Sequence, residues 1–104
     1  KLTIAILEDQ PIEAEHLKSI ISKWSLQSKY ELEISEYSSG EDFFGENCKS
    51  TYQSFSVFFL DIQMKELSGL DVAKRLRKDG YSGPIIFLTA FREYVFHGYE
   101  VPRC

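Results

Sequence analysis

The chain has 104 residues, a length that suits one domain built around a single core. Its 16 acidic and 12 basic residues leave a net charge of -4, and no basic stripe is present to grip a nucleic-acid backbone. No long apolar span and no signal-type amino terminus is found, so membrane and secretory roles have no support and a soluble cytoplasmic protein is expected.

Strand-like and helix-like segments alternate from the first residue. Leu2 to Leu7 is a short apolar run closed by "EDQP", and Pro11 suits the first turn of a helix. Ala14, Leu17, Ile20, Ile21 and Trp24 follow at spacings of three and four, which predicts a helix with one apolar stripe. Leu32 to Tyr37 alternates apolar and polar residues as a half-covered strand does. Ser39-Gly40-Glu41-Asp42 has capping-box spacing and predicts a helix running through Phe43 and Phe44 to about Asn47 or Cys48.

Val57-Phe58-Phe59-Leu60 has no alternation, the pattern of a central parallel strand covered on both faces, and Asp61 stands at its end. A further helix is predicted from about Ser68. Leu70, Val72, Ala73 and Leu76 form its apolar face, and Lys74, Arg75, Arg77 and Lys78 its solvated face. "DGYSGP" marks a turn. Ile85 to Leu88 repeats the continuous apolar pattern and ends at Thr89-Ala90, after which a last helix is predicted over Arg92 to Tyr99. Strands that alternate with helices in this way imply an α/β fold with a parallel sheet covered on both faces.

The apolar strands end in Glu8-Asp9, Asp61 and Thr89, and in a parallel sheet those ends share one edge. Carboxylates gathered there repel one another unless they are protonated, solvated or neutralised by a cation. Mg²⁺, which keeps waters and accepts one or two carboxylates plus a substrate phosphate, suits an open acidic cluster. Cys48 and Cys104 are too few for a metal motif and are read as free thiols, and His16 and His97 as solvated or edge-packed helix residues.

Taken together and in this order, Glu8 and Asp9, the "LDIQM" aspartate Asp61, the later Gly69 and "FLTA" with Thr89 and Ala90 resemble the receiver domain of bacterial two-component response regulators over almost the whole chain. The resemblance implies a flavodoxin-like, doubly wound sheet of order 2-1-3-4. It also implies Asp61 as phosphoacceptor and Thr89 as switch hydroxyl, with Mg²⁺ held by Glu8, Asp9, Asp61 and the Gln63 backbone carbonyl. A sensor histidine kinase would be the partner and phosphoryl donor. "FLTAFREYVFHGYEV", with Glu93-Tyr94 and the later aromatic-Glu-Val, is similar to regulators with a LytTR-type DNA-binding output domain, which implies transcription regulation through a domain outside this chain.

Two departures stand out. Lys65 occupies the place of a customary proline, and the family's fifth strand with its lysine, and fifth helix, are not found before "VPRC". Residues 1–104 are therefore expected to be a receiver domain incomplete at its carboxyl end. With the fourth strand left as an edge, self-association is expected. An alternative reading is a receiver-like interaction module that does not switch by phosphorylation. A phosphohydrolase of the haloacid dehalogenase type would need a second aspartate at position 63, where this chain has Gln63, an amide that cannot exchange a proton usefully.

Overall fold

A computed structural model describes residues 1–64 and 66–88. Four strands, β1 (Leu2–Leu7), β2 (Leu32–Tyr37), β3 (Val57–Asp61) and β4 (Ile85–Leu88), form one parallel sheet of order β2-β1-β3-β4. The helices are α1 (Pro11–Ser28), α2 (Gly40–Glu46), α3 (Lys49–Tyr52) and α4 (Gly69–Lys78). The single-turn α3 has no periodicity of its own and was not expected from the sequence. It is closed locally, by Thr51 Oγ1 accepting from the Cys48 N–H at 3.1 Å. The predicted helix over Arg92 to Tyr99 lies outside the described residues, as do Lys65, Thr89, His97 and Cys104.

Helix starts follow the expected chemistry. Ser39 caps α2 by accepting from the Asp42 N–H at 3.0 Å, while the Asp42 carboxylate takes the Ser38 hydroxyl instead of closing the box. At α4 the box is complete: Ser68 accepts from the Asp71 N–H, and Asp71 accepts from the Ser68 N–H, both at 3.2 Å.

The pleat divides the sheet into two unequal faces. Ala5, Leu7, Phe58, Leu60, Ile85 and Phe87 point to the face covered from α2, α3 and α4 by Phe43, Tyr52, Val72, Ala73 and Leu76. Aromatic rings dominate here, with Phe43 set edge-on to Tyr37, Phe44 and Phe58 at centroid distances of 5.1–5.3 Å. On the other face Ile4 and Ile6 meet Ile21 of α1, and Leu17, Ile34, Val57 and Phe59 are only partly covered. The sequence predicts that β3 and β4 are covered on both sides, but among the described residues Val57, Phe59, Ile86 and Leu88 remain half-buried.

Three stripe residues are not where spacing put them. Ile20, Trp24 and Leu70 are 53%, 45% and 47% exposed. Helical rotation of about 100° per residue explains this, because the buried line of α1 runs through Ala14, Leu17 and Ile21 and that of α4 through Gly69, Val72, Ala73 and Leu76. Ile20 and Leu70 lie well round the helix from those lines, and Trp24 stacks on Tyr30 at the margin instead (5.6 Å, 10° between planes). Arg77 also departs from its expected solvated face. It is half-buried, and its Nη1 donates to the carbonyls of Tyr81 and Gly83 at 2.9 and 2.7 Å, tying α4 to the turn before β4.

Two glycines give a paired test of backbone against space. A Cβ at either Gly45 or Gly80 would meet nothing within 4 Å, but Gly80 has φ +99° and Gly45 is helical. Gly45→Ala is expected to stabilise by up to about 1 kcal/mol, and Gly80→Ala to destabilise by about 1–2 kcal/mol, in urea unfolding. Equal effects at the two positions would contradict the conformational assignment.

Candidate acidic site at the carboxyl edge of the sheet

Register brings the acidic residues together. Leu7 of β1 pairs with Leu60 of β3, so the next residue of each strand places Glu8 beside Asp61. Asp61 in turn pairs with Leu88, and the Ile62 N–H donates to the Leu88 carbonyl at 3.0 Å, which holds the end of β3 against β4. On the other side the Glu8 N–H donates to Tyr37 O, also at 3.0 Å. Both strand ends are thus hydrogen-bonded into the sheet up to the residue that carries the carboxyl group.

Carboxylate oxygens of Glu8, Asp9 and Asp61 all lie within 4.8 Å of one another. Glu8 and Asp61 are buried, at 7% and 3% exposure, and Asp9 is half-buried. Two backbone amides turn inwards: the Gln10 N–H donates to Glu8 Oε2 at 3.1 Å and the Gln63 N–H to Asp61 Oδ1 at 3.2 Å. The Gln63 side chain is exposed. Thr89, the residue after Leu88, lies outside the described residues, so its hydroxyl is not placed. His16 is exposed on α1, and Cys48 is an exposed free thiol.

Burial, with the hydrogen bond to Asp61 second, pushes the Glu8 carboxyl up to about 8. Asp61 is also raised, by burial above all, against the opposing effect of hydrogen bonds from Glu8 and the Gln63 N–H. Without a cation, then, both carboxyls take up a proton more readily than free ones, because burial and their closeness penalise two charges. Oxygen-only donors, two of them buried and all within 4.8 Å of one another, fit a hard divalent ion such as Mg²⁺. Soft or borderline metals would call for sulfur or imidazole, and this cluster has neither.

Gly69 is what lets α4 begin so close to the site. A Cβ there would collide with the carbonyl oxygen of Asp61, stand 2.9 Å from its carbonyl carbon and 3.0 Å from Cα of Ile62, all backbone atoms with no freedom to turn away. The Gly69 N–H donates to Ile62 O at 3.0 Å and closes the loop between β3 and α4. Spacing in the sequence marks this glycine, but its contact with the Asp61 backbone is seen only in three dimensions.

The raised carboxyl gives a pH dependence of stability. An unfolded glutamate titrates near 4.5 and the folded one near 8, so the folded state holds the extra proton between those values. The stabilisation is fully present below about 4.5 and is lost as pH rises through about 8. The metal-free protein is therefore expected to melt at progressively lower temperature from pH 5 to pH 9. Glu8→Gln, which keeps the shape without the titration, is expected to flatten that profile, and an unchanged slope in the variant would refute the assignment.

The sequence profile of the response regulator receiver domain matches residues 4–101. Relatives include the sensory transduction protein LytT of Bacillus subtilis, 28% identical over 100 residues that make up 96% of this chain and 39% of that protein. Another is the transcriptional regulatory protein BtsR of Escherichia coli, 32% identical over 99 residues, 95% of this chain and 38% of that one. The chain thus spans about two-fifths of the length of these relatives. Among solved structures, the response regulator protein TrrA of Thermotoga maritima in complex with Mg(2+)-BeF superposes with a TM-score of 0.67 at 31% identity, over 90% of this chain and 74% of that one. Sheet order, the shared acidic edge and a profile match over nearly every residue lead to one conclusion: the chain belongs to the response regulator receiver domain family.

Proposed function

We propose that this receiver domain accepts a phosphoryl group on Asp61 from a phosphohistidine of a sensor histidine kinase, and that the acyl phosphate switches a transcription-regulating output domain. The observation that carries the reading is the convergence of Glu8, Asp9 and Asp61 at one strand edge, with Asp61 held by the Gln63 N–H. Glu8, Asp9 and Asp61, helped by the Gln63 carbonyl, would hold Mg²⁺, which when bound screens the carboxylates from the incoming phosphoryl oxygens. The solved complex of TrrA with Mg(2+)-BeF, a relative at 31% identity, supports this choice of ion.

The chain's own residues perform the rest. An Asp61 carboxylate oxygen forms the new bond to phosphorus as the bond from phosphorus to the imidazole nitrogen breaks, and that nitrogen keeps the electron pair. The amide of Gln63 fixes one Asp61 oxygen, which leaves the other to attack. Thr89, next after the register partner of Asp61, is the switch hydroxyl that turns to the acyl phosphate. The chain acts as a signalling phosphoacceptor that assists its own labelling, not as a turnover enzyme.

LytT and BtsR, relatives at 28% and 32% identity, favour a LytTR-type regulator that acts on DNA through a separate domain. No described helix is long and apolar enough to cross a membrane, and a cytoplasmic location fits a kinase-driven regulator. The 104-residue chain is also expected to self-associate, because β4 is the outermost strand on its side of the sheet among the described residues.

Acetyl phosphate with Mg²⁺ should raise the intact mass by about 80 Da, one phosphoryl group on the nucleophile. Asp61→Asn and EDTA should each abolish the gain; labelling that persists in either would sink the proposal. Thr89→Ala should still be labelled but lose the phosphate-dependent change in amide exchange, and a wild-type change would show that another group reads the phosphate. Sedimentation over a concentration series tests the β4 edge: a monomer at high micromolar concentration would contradict self-association.

A further inference from the structure

The described residues just before α4, 66–68, are braced by α2. Leu67, half-buried in this segment, lies over Gly40, the buried first residue of α2. A Cβ at Gly40 would stand 3.3 Å from both Cβ and Cδ1 of Leu67 and 2.7 Å from Cγ2 of Val72 in α4. Nothing in the backbone of Gly40 calls for glycine, since it is helical and has no positive φ. Gly45 in the same helix has open space around it. The missing side chain at position 40 therefore serves the loop and α4 and not α2 itself.

The notch is held firmly. Ser39 caps the first turn of α2 through the Asp42 N–H, and Phe43 is fully buried among the rings of the core. Val72 is fully buried and its N–H donates to Ser68 O, so its γ-methyl has little freedom to retreat. The closer contact, with Val72, would push on α4, whose first residue Gly69 stands against the Asp61 backbone, and the contact with half-buried Leu67 would push on the segment just before it. A displaced start of α4 thus reaches the acceptor through contacts that cannot rotate aside.

We propose that Gly40 is a positioning residue for the Asp61 site: by leaving room for Leu67 and Val72 it lets α2 set where α4 begins, and hence, through Gly69, the placement of the Asp61 and Ile62 backbone beside the acceptor carboxylate. This rests on the phosphoacceptor reading above and adds to it a mechanical link from α2 to the acceptor loop.

The experiment compares Gly40→Ala, Gly45→Ala, Val72→Ala and the double variant Gly40→Ala/Val72→Ala, each under conditions where far-ultraviolet circular dichroism shows a folded protein. Two quantities are read: amide hydrogen exchange of residues 62–68, which needs no phosphorylation, and the acetyl phosphate labelling rate as a function of Mg²⁺ concentration. Gly40→Ala should speed exchange in the loop and lower the saturating labelling rate by roughly tenfold, the scale of a sub-ångström misplacement of reacting groups. Gly45→Ala should match wild type. The double variant should recover part of the rate yet stay below Val72→Ala, because the Leu67 contact remains. Should Gly40→Ala fail to fold, the double variant against Val72→Ala decides, and equal exchange and rates in that pair overturn the proposal. So does a folded Gly40→Ala with wild-type exchange and rate. A wild-type protein that takes no label refutes the phosphoacceptor reading, while the exchange comparison still decides the role of Gly40.

Discussion

Glu8 and Asp61 lie side by side with almost no access to water, an arrangement that two ionised carboxylates cannot hold without a counter-charge. A proton on the pair is one answer, favoured by the raised affinity of both carboxyls, and a hard divalent ion is a better one because it also satisfies the half-buried Asp9. Much of the local architecture enforces this proximity. The β1–β3 register sets the two carboxyls level, the Ile62 N–H to Leu88 O bond holds the strand end in the sheet, and the Gln10 and Gln63 amides satisfy one oxygen of each acid. Burial without this support would cost more than a small core can offset.

The two faces of the sheet carry that load unequally. Behind the loop that follows Asp61, Phe43 makes edge contacts with Tyr37, Phe44 and Phe58, and such pairs are each worth about 0.5–1.5 kcal/mol beyond area burial. Tyr81 closes this block from below, its ring 4.7 Å from Phe58 and its hydroxyl donating to Phe55 O at 3.0 Å. Thus α2 and α4 are seated on a rigid base, and a close contact at Gly40 or Gly69 bears on Val72 and Leu67 or on the Asp61 backbone, beside the acidic edge. Among the described residues the α1 face is thinner. Ile21 and Ala14 are buried there, while Ile12, Ile20, Trp24 and Leu26 remain exposed along the same helix.

Much of this was legible in the residues. Unbroken apolar runs marked β3 and β4, alternation marked β2, Ser39 and Ser68 marked helix starts, and acids at the strand ends marked the site, because each signal is local and has one dominant physical cause. What escaped depends on relations between elements. Spacing of three and four admits a stripe wide enough to include Ile20 and Leu70, and only the packed neighbour decides which edge of it is covered. Arg77 reads as a surface cation until the turn at Tyr81 to Gly83 offers it two carbonyls. The single turn of α3 is too short for any period, and the steric roles of Gly40 and Gly69 belong to the space around them.

On the proposed function, what the acidic edge would hold is a divalent cation beside Asp61. Crystals grown with Mn²⁺, which shares the hard-oxygen preference of Mg²⁺ and scatters anomalously, test it most directly. A single anomalous peak is expected, bounded by the carboxylates of Glu8, Asp9 and Asp61 and absent from Asp61→Asn crystals under the same conditions. A peak elsewhere on the molecule with this cluster still empty, or equal occupancy in the variant, would contradict it.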